Sequence, residues 1–463
     1  MSHSKVGYCP YFKKTGVEMI NASDLIMEKP EDRLKGLMQQ VLNHEFELSP
    51  KLIQLAEEVE EEIQSQEARI RLIVTLNQLR VLQAFREAGI SEYHLKETTG
   101  YGYGDIGREG LDQIFARVFG AEAGLVRLQM VSGTHALAVA LFGNLRAGDE
   151  LISVTGAPYD TLAEIIGISQ GPPPPGSLSE LGVIYREIPL KKGRPDLEAV
   201  NRTIGPRTRM ALIQRSSGYS WRPGLTIRQI KELIDTIKSI NPNTLVLVDN
   251  CYGEFVEEQE PGMVGSDLTV GSLIKNPGGG LAPSGGYIVG RQDCVQAAAR
   301  RLTAPGIGMH VGATLGVNRW FYQGLFMAPQ IVGQALRGAL FASRLFQRLG
   351  YEVQPQPSDI RGDIIQAIKL NTPEALESFC RVIQQYSPID STATPVFDEL
   401  PGYDHQVIMA AGTFVQGASL ELSADAPLSS PYIAFLQGGL SFDHTRIATL
   451  CAAQALLKES ISL

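Results

Sequence analysis

At 463 residues the chain is too long for one ordinary core, so two or three domains are expected. With 44% hydrophobic and 20% charged residues it reads as a soluble globular protein, and a net charge of -9 with a pI near 5.4 argues against a nucleic-acid partner. No apolar run is long enough to span a membrane and the start has no signal-like pattern; five scattered cysteines without a CxxC pair fit reduced cytoplasmic thiols, not a disulfide frame or zinc site.

Residues 1–20 have no convincing period and are expected to form an arm. From about 30 to 90 the apolar residues recur at helical spacing, and "SPKLIQLAEEVEEEIQ" opens with a Ser49-Pro50 helix start. Residues 1–95 are therefore read as an N-terminal arm with helices, suited to packing or dimer formation. Between about 120 and 290 the stretches "ELISVTG", "GVIYREIPL", "TRMALIQRS", "TLVLVDN" and "GGYIVGR" read as strands. Helical patterns such as "THALAVALFGNL" and "TIRQIKELIDTIKSI" separate them. That alternation predicts an α/β domain over 96–348 with a mostly parallel sheet covered on both faces. Its ligands are expected beyond the carboxyl ends of the strands. The "SQGPPPPGSLSEL" segment reads as a stiff surface loop, and 312–347 as a long helical connection. Residues 349–463 combine the strand-like "DIIQAIKL", the helical "TPEALESFCRVIQQY" and a closing helix after "GGLSFDH", which predicts a small α+β domain.

Chemistry enters at Asp249, which ends the apolar strand 244–248. A carboxylate at that edge is costly to desolvate unless it meets a cation, such as a protonated ring nitrogen. Taken alone, an Asp-Asn turn explains the residue as well. Lys275 follows, in the tight turn "GSLIKNPGGG", with Ser272 three positions before it. A lysine there can form a Schiff base with an aldehyde, although an S-x-x-K in isolation is common on surfaces. In "VSGTHALAVAL", Ser132, Gly133 and Thr134 open an apolar helix whose free amides suit a phosphate, or are simply its N-cap. His135 reads as packing at the helix start. In "SVTGAPYDTL", Tyr159 occupies a further strand-to-helix turn, where it could stack on a flat ring or act as an acid.

In this order these features resemble fold type I pyridoxal-phosphate enzymes. The strings "GYGYGDIGREGLDQIFARVFGAEAGLVR", "VSGTHA", "QRSSGYSWRP", "RLTAPGIG", "RGDIIQAI" and "PYIAFLQGGLSFDH" are similar to the methionine gamma-lyase-like family, often labelled cystathionine beta-lyase family, aluminium resistance. The resemblance spans roughly residues 40–460. It implies an aspartate aminotransferase-like large domain and pyridoxal 5'-phosphate bound covalently through Lys275. Asp249 would pair with the pyridinium nitrogen, Gly133, Thr134 and Ser272 would hold the phosphate, and Tyr159 would stack on the ring. Tyr103 and Arg108 of "YGYGDIGRE" would reach a neighbouring subunit's phosphate, making the protein a homodimer or homotetramer. Arg361, Arg301 and Arg446 are the candidates for binding the substrate carboxylate, since a guanidinium fork matches its oxygens. Ser217 replaces an arginine that many members carry. The resemblance implies a carbon–sulfur lyase acting on a sulfur-containing amino acid. An aminotransferase, racemase or synthase using the same residues, or a non-catalytic stress-response protein that keeps the fold, are the alternatives.

Overall fold

The computed structural model describes residues 30–169, 171–399 and 405–461; the arm expected over 1–20 lies outside them. The chain begins with α1 (Pro30–His44), α2 (Pro50–Glu62) and α3 (Gln64–Glu87), then α4 (Ile106–Val118). As expected, Ser49 caps α2, its hydroxyl accepting the Leu52 amide at 3.3 Å with Pro50 in the first turn. The α/β unit follows as β1 (Ala123–Arg127), α5 (Gly133–Asn144), β2 (Glu150–Ser153), α6 (Asp160–Ile166), β3 (Ile184–Glu187) and α7 (Leu197–Thr203). It continues through β4 (Thr208–Gln214), α8 (Ile227–Ile240), β5 (Leu245–Asp249), β6 (Leu268–Ser272), β7 (Gly286–Gly290) and α9 (Gln292–Leu302).

These strands form one sheet in the order β1-β7-β6-β5-β4-β2-β3. The pairs β3–β2, β2–β4, β4–β5 and β5–β6 are parallel, and β7 runs against both of its neighbours. The strand period of two divides the core cleanly. Leu245 and Leu247 of β5 pack on the face covered by α5 and α9, while Val246 and Val248 join Ile230, Leu233 and Ile237 of α8 on the other. Both faces of β5 are covered, so that strand is apolar up to Asp249. The helix α8 shows why such covers form locally: Thr226 and Gln229 make a reciprocal capping box, and Ile227, Ile230, Leu233, Ile234 and Ile237 give it one buried stripe.

The remaining elements are α10 (Asn318–Arg348), β8 (Glu352–Gln354), β9 (Ile365–Lys369), α11 (Pro373–Gln385), β10 (Val407–Ala410), β11 (Ser423–Pro427), β12 (Ile433–Gln437) and α12 (Phe442–Ile461). The second sheet is antiparallel, in the order β10-β11-β12-β9-β8. The large mostly parallel sheet and the small second sheet are those the α/β and α+β readings anticipated. Three details differ. The long helix starts at Asn318 rather than 312, because Gly312 and Gly316 take positive φ (124° and 78°) that end any helical run. The strand before Ser132 stops at Arg127, and 128–131 form a turn. Four strands of the small sheet escaped the pattern: β8 and β10 are only three and four residues long, and β11, "SADAP", has little β propensity of its own.

One close approach ties the two parts together. An ideal Cβ on Gly324 of α10 would lie 2.2 Å from the Gly278 carbonyl oxygen, so helix backbone meets the Lys275 loop directly.

Candidate active site

Parallel strands end at one edge, and the site is built there. Gln214 closes β4 in register with Asp249 at the end of β5, and Ser272 closes β6 beside them. Asp249 is buried, and its Oδ1 accepts the Cys251 amide at 3.1 Å. Burial pushes its carboxyl above the ordinary range, and the Lys275 ammonium opposes that shift. It is a carboxylate placed to receive a cation.

Lys275 stands just after β6, at the mouth of a single helical turn, Asn276–Gly278, that Gly279 closes at φ 56°. Its ammonium lies over the Tyr252 ring, 3.9 Å from the centroid. Burial works to lower the lysine pKa, but the acidic groups around it (Cys251, Tyr252, Asp249 and Tyr159) outweigh that and hold it above its ordinary value. A cation delivered to Asp249 would remove the carboxylate's share of that effect.

The helix α5 points its N-terminus at the same place. Ser132 caps it by accepting the His135 amide at 3.0 Å, leaving the first amides at Gly133 and Thr134 without intrahelical partners. The His135 ring only accepts the Val131 amide, at 3.2 Å, a local role as expected. A Cβ on Gly133 would lie 3.1 Å from the Ser272 Cβ, so the helix start and the β6 end share one cradle. The Ser272 hydroxyl is buried there with no hydrogen-bond partner among the described residues. Tyr159 closes the side, its hydroxyl 3.2 Å from Thr134 Oγ1 and its amide donating to Gln214 at 3.3 Å. Burial, with Asp249 and Cys251 nearby, raises the phenol well above its ordinary pKa, so it stays a proton donor.

Ser132, Gly133, Thr134, Tyr159, Asp249, Ser272 and Lys275 all line one cavity of about 560 Å³. An orphaned buried hydroxyl, a helix N-terminus, a buried carboxylate and a lysine suit a ring-shaped cofactor with an anionic end and a cationic nitrogen. The opposite wall comes from Ser216, Ser217 and Tyr219 after β4, and from Ile365, Val407, Phe435 and Gln437 of the small sheet.

Behind the cavity lies a buried polar cluster. Arg215 donates to Asn250 Oδ1 at 2.8 Å and to Glu257 at 3.0 Å, and Asn250 donates to Glu260 at 3.1 Å. Arg80 of α3 approaches Glu260 at 3.5 Å. Glu254 accepts the Tyr287 hydroxyl at 2.9 Å, while its other oxygen has no partner among the described residues. Burial pushes this carboxyl up to about 8. Two guanidiniums thus face three carboxyls, and Glu254, touching neither, is the one kept neutral. The cluster grips the Asp249 and Lys275 loops, through Asn250 beside Asp249 and through Asn276, whose side-chain amide donates to the Glu254 carbonyl at 3.0 Å.

The four arginines singled out in the sequence lie outside the cavity lining. Arg108 is 1% exposed, and its guanidinium donates to the carbonyls of Gly102, Gly312 and His310 of its own chain, so it does not extend to a neighbour. Arg361 is spent on Ala339, Ile365 and Gln366. Arg301 is exposed on α9, above the Phe142 ring at 5.0 Å. Arg446 pairs with Glu60. Among the described residues lining the cavity there is no arginine. Tyr103 is 71% exposed and stacks on Tyr101 at 5.3 Å, also away from the cavity. Tyr252, Glu254 and Gln437 were not picked out from the sequence. Tyr252 and Glu254 lie in "DNCYGEF", directly after Asp249, and Gln437 lies in the quoted "PYIAFLQGGLSFDH"; Tyr252 takes φ 71°, a conformation that is rare outside glycine.

Comparison with known proteins agrees with this geometry. Residues 52–457 match the family model for methionine gamma-lyase. The chain is 49% identical over 407 residues to the uncharacterized protein YnbB of Bacillus subtilis, covering 88% of this chain and 96% of that one. A solved Clostridium novyi structure, described as a carbon-sulfur lyase involved in aluminum resistance, is 48% identical, with a TM-score of 0.86 over 90% of this chain and 98% of the other. The pyridoxal-5'-phosphate dependent protein YhfS of Escherichia coli shares only 15% identity over 85% of this chain and 97% of its own, at a TM-score of 0.56, a likeness of fold alone. With its fold type I architecture and a family match across most of its length, the chain belongs to the methionine gamma-lyase family.

Proposed function

We propose that the protein is a pyridoxal-phosphate-dependent carbon–sulfur lyase that releases a thiol from a sulfur-containing amino acid. The observation that carries the reading is the convergence of Lys275, Asp249, Ser272 and the α5 N-terminus on one cavity. Bound pyridoxal phosphate supplies an electron sink next to the substrate α-carbon. Lys275 would hold the cofactor aldehyde and, once displaced by the substrate amine, carry the α-proton. Asp249 would keep the ring nitrogen protonated, because a buried carboxylate stabilises the cation that meets it. The Ser272 hydroxyl and the amides of Gly133 and Thr134 would bind the phosphate. Tyr159, held as a phenol, would give its proton to the departing sulfur. Tyr103 remains a candidate for contributing to a second subunit's site, and a homodimer or homotetramer stays part of the proposal.

The test is a visible absorption spectrum of the purified protein before and after borohydride, followed by peptide mapping. A band trapped by reduction on Lys275, together with release of thiol, ammonia and a keto acid from an S-substituted cysteine or methionine, is the expected result. A trapped cofactor with amino transfer or racemisation and no thiol would replace lyase with another reaction. A protein that takes up no cofactor would overturn the reading.

A further inference from the structure

We propose that Asp425 makes the cavity selective for substrates whose leaving sulfur carries a cationic arm, that is, an S-substituted amino acid with an ammonium group beyond the sulfur. The proposal rests on the lyase reading above and adds the class of substrate.

The register of the small sheet places this carboxylate. Asp425 of β11 lies directly opposite Phe435 of β12 and opposite Met409 of β10. Residues directly opposite in an antiparallel pair project from the same face. Phe435, its i+2 neighbour Gln437, and the pair Val407 and Pro427 all line the cavity, so Asp425 stands on the face turned toward it. The residue is half-buried, and it stands beside the residues that line the cavity, not among them.

Two lining residues hold it in position. Gln437 donates from Nε2 to Asp425 Oδ2 at 2.7 Å, and the Tyr219 hydroxyl also bonds the carboxylate. An ionised carboxylate has about four acceptor sites, so acceptor capacity is left for a ligand. Tyr219 packs on Phe435 with centroids 5.3 Å apart, so two aromatic rings stand beside the carboxylate. An ammonium gains from ring faces as well as from the charge.

Charge balance supplies the direction. Lys275 is the lysine of the described lining, which holds no arginine; His405 stands exposed, and Asp160 beside Tyr159 is a further lining carboxylate. In the lyase reading Lys275 is committed to the cofactor aldehyde and Asp249 to the ring nitrogen. The Lys275 charge that also acts on Asp425 would then be engaged with the cofactor, which leaves this carboxylate without a cation committed to it. Burial pushes it up to about 6, against the hydrogen bonds from Tyr219 and Gln437 and the nearby Lys275 charge. A poorly solvated carboxylate favours a ligand that brings a positive charge and disfavours one that brings a negative charge.

The experiment compares S-(2-aminoethyl)cysteine with S-propylcysteine, two substrates of equal arm length that differ in charge. Wild-type holoenzyme and Asp425→Asn are assayed for kcat/KM of thiol release, and for binding through the change in the cofactor's visible absorbance. The expected wild-type preference for the cationic arm is roughly tenfold or more, and Asp425→Asn loses most of it. A wild type that releases both thiols without preference overturns the proposal and leaves the lyase reading intact. A preference that survives in Asp425→Asn also overturns it, reducing Asp425 to a support for Gln437 and Tyr219. Preferential binding without thiol release upholds the selectivity and overturns the lyase reading instead. Should Asp425→Asn fail to fold, Asp425→Ser takes its place and is read by the same two outcomes.

Discussion

Lys275 and Tyr252 form the contact on which the site turns: the ammonium lies 3.9 Å from the ring centre, and Tyr252 takes φ 71° to put its ring there. Left-handed backbone at a non-glycine residue costs on the order of 1–3 kcal/mol and persists where its surroundings impose it. The ring favours the charged form of the lysine. Tyr252→Asn keeps a residue that tolerates this backbone and removes the ring. The pH profile for capture of pyridoxal phosphate by the apoprotein is expected to move down, by up to about one unit. An unshifted profile would show that the ring does not tune Lys275.

Asp249 can be tested without disturbing its hydrogen bond. Asp249→Asn retains an oxygen for the Cys251 amide, which now sits 3.1 Å from Oδ1, but it removes the charge. Stranding a buried cation costs about 3–5 kcal/mol. A fall in kcat/KM of roughly a hundredfold to a thousandfold is expected, with borohydride trapping at Lys275 preserved. Near-normal turnover would remove Asp249 from the proposed mechanism.

Tyr159 separates two steps. Tyr159→Phe removes the hydroxyl that meets Thr134 at 3.2 Å and the proposed acid with it. Thiol release should fall by roughly a hundredfold, the usual scale for a general acid, while exchange of the substrate α-proton with deuterated water continues. Equal losses in both would mean that the hydroxyl only positions the site.

Glu254 predicts a pH dependence of stability. Its carboxyl is held at about 8 in the folded protein against 4.5 ordinarily, so between those values the folded state binds the extra proton. Stability from this group is therefore complete below pH 4.5 and is lost as pH rises toward 8, by about 1.4 kcal/mol per unit at most. Glu254→Gln keeps the hydrogen-bonding shape and removes the titration. Chemical denaturation from pH 6 to 9 should show a flatter profile for the variant, which becomes the more stable protein at the alkaline end. Parallel profiles would place the neutral carboxyl elsewhere in the cluster.

The Gly324–Gly278 approach has a built-in control. Gly324→Ala would push a methyl carbon to 2.2 Å from the Gly278 oxygen, whereas a Cβ at Gly36 in α1 meets nothing within 4 Å. Overpacking of this kind costs roughly 1–3 kcal/mol. The first substitution should lower the denaturation midpoint and weaken cofactor retention by moving the Lys275 loop. The second should be neutral or stabilising by up to about 1 kcal/mol. Equal behaviour of the two would mean that the helix can move away from the loop at little cost.

What the sequence determined by itself was the part written in local patterns. An apolar strand ending in Asp249, a serine cap opening α5, and a lysine in a glycine-rich turn each follow from short-range physics, and parallel topology carries all three to one edge. The α/β sheet and its helices were legible for the same reason, since β5 and α8 state their periods within a few residues. The destination of each long side chain was decided only by tertiary structure. Arg108, Arg361 and Arg446 look in sequence like any anion-binding arginine, yet folding aims them at backbone carbonyls or at Glu60. Asp425 lies in "SADAP", a stretch with no strand signal, and gains its place from pairing with Phe435, a partner ten positions away that neither residue's neighbours announce. Periodicity is a property of adjacent residues, whereas a cavity wall is a property of the register between strands, which only the assembled sheet defines.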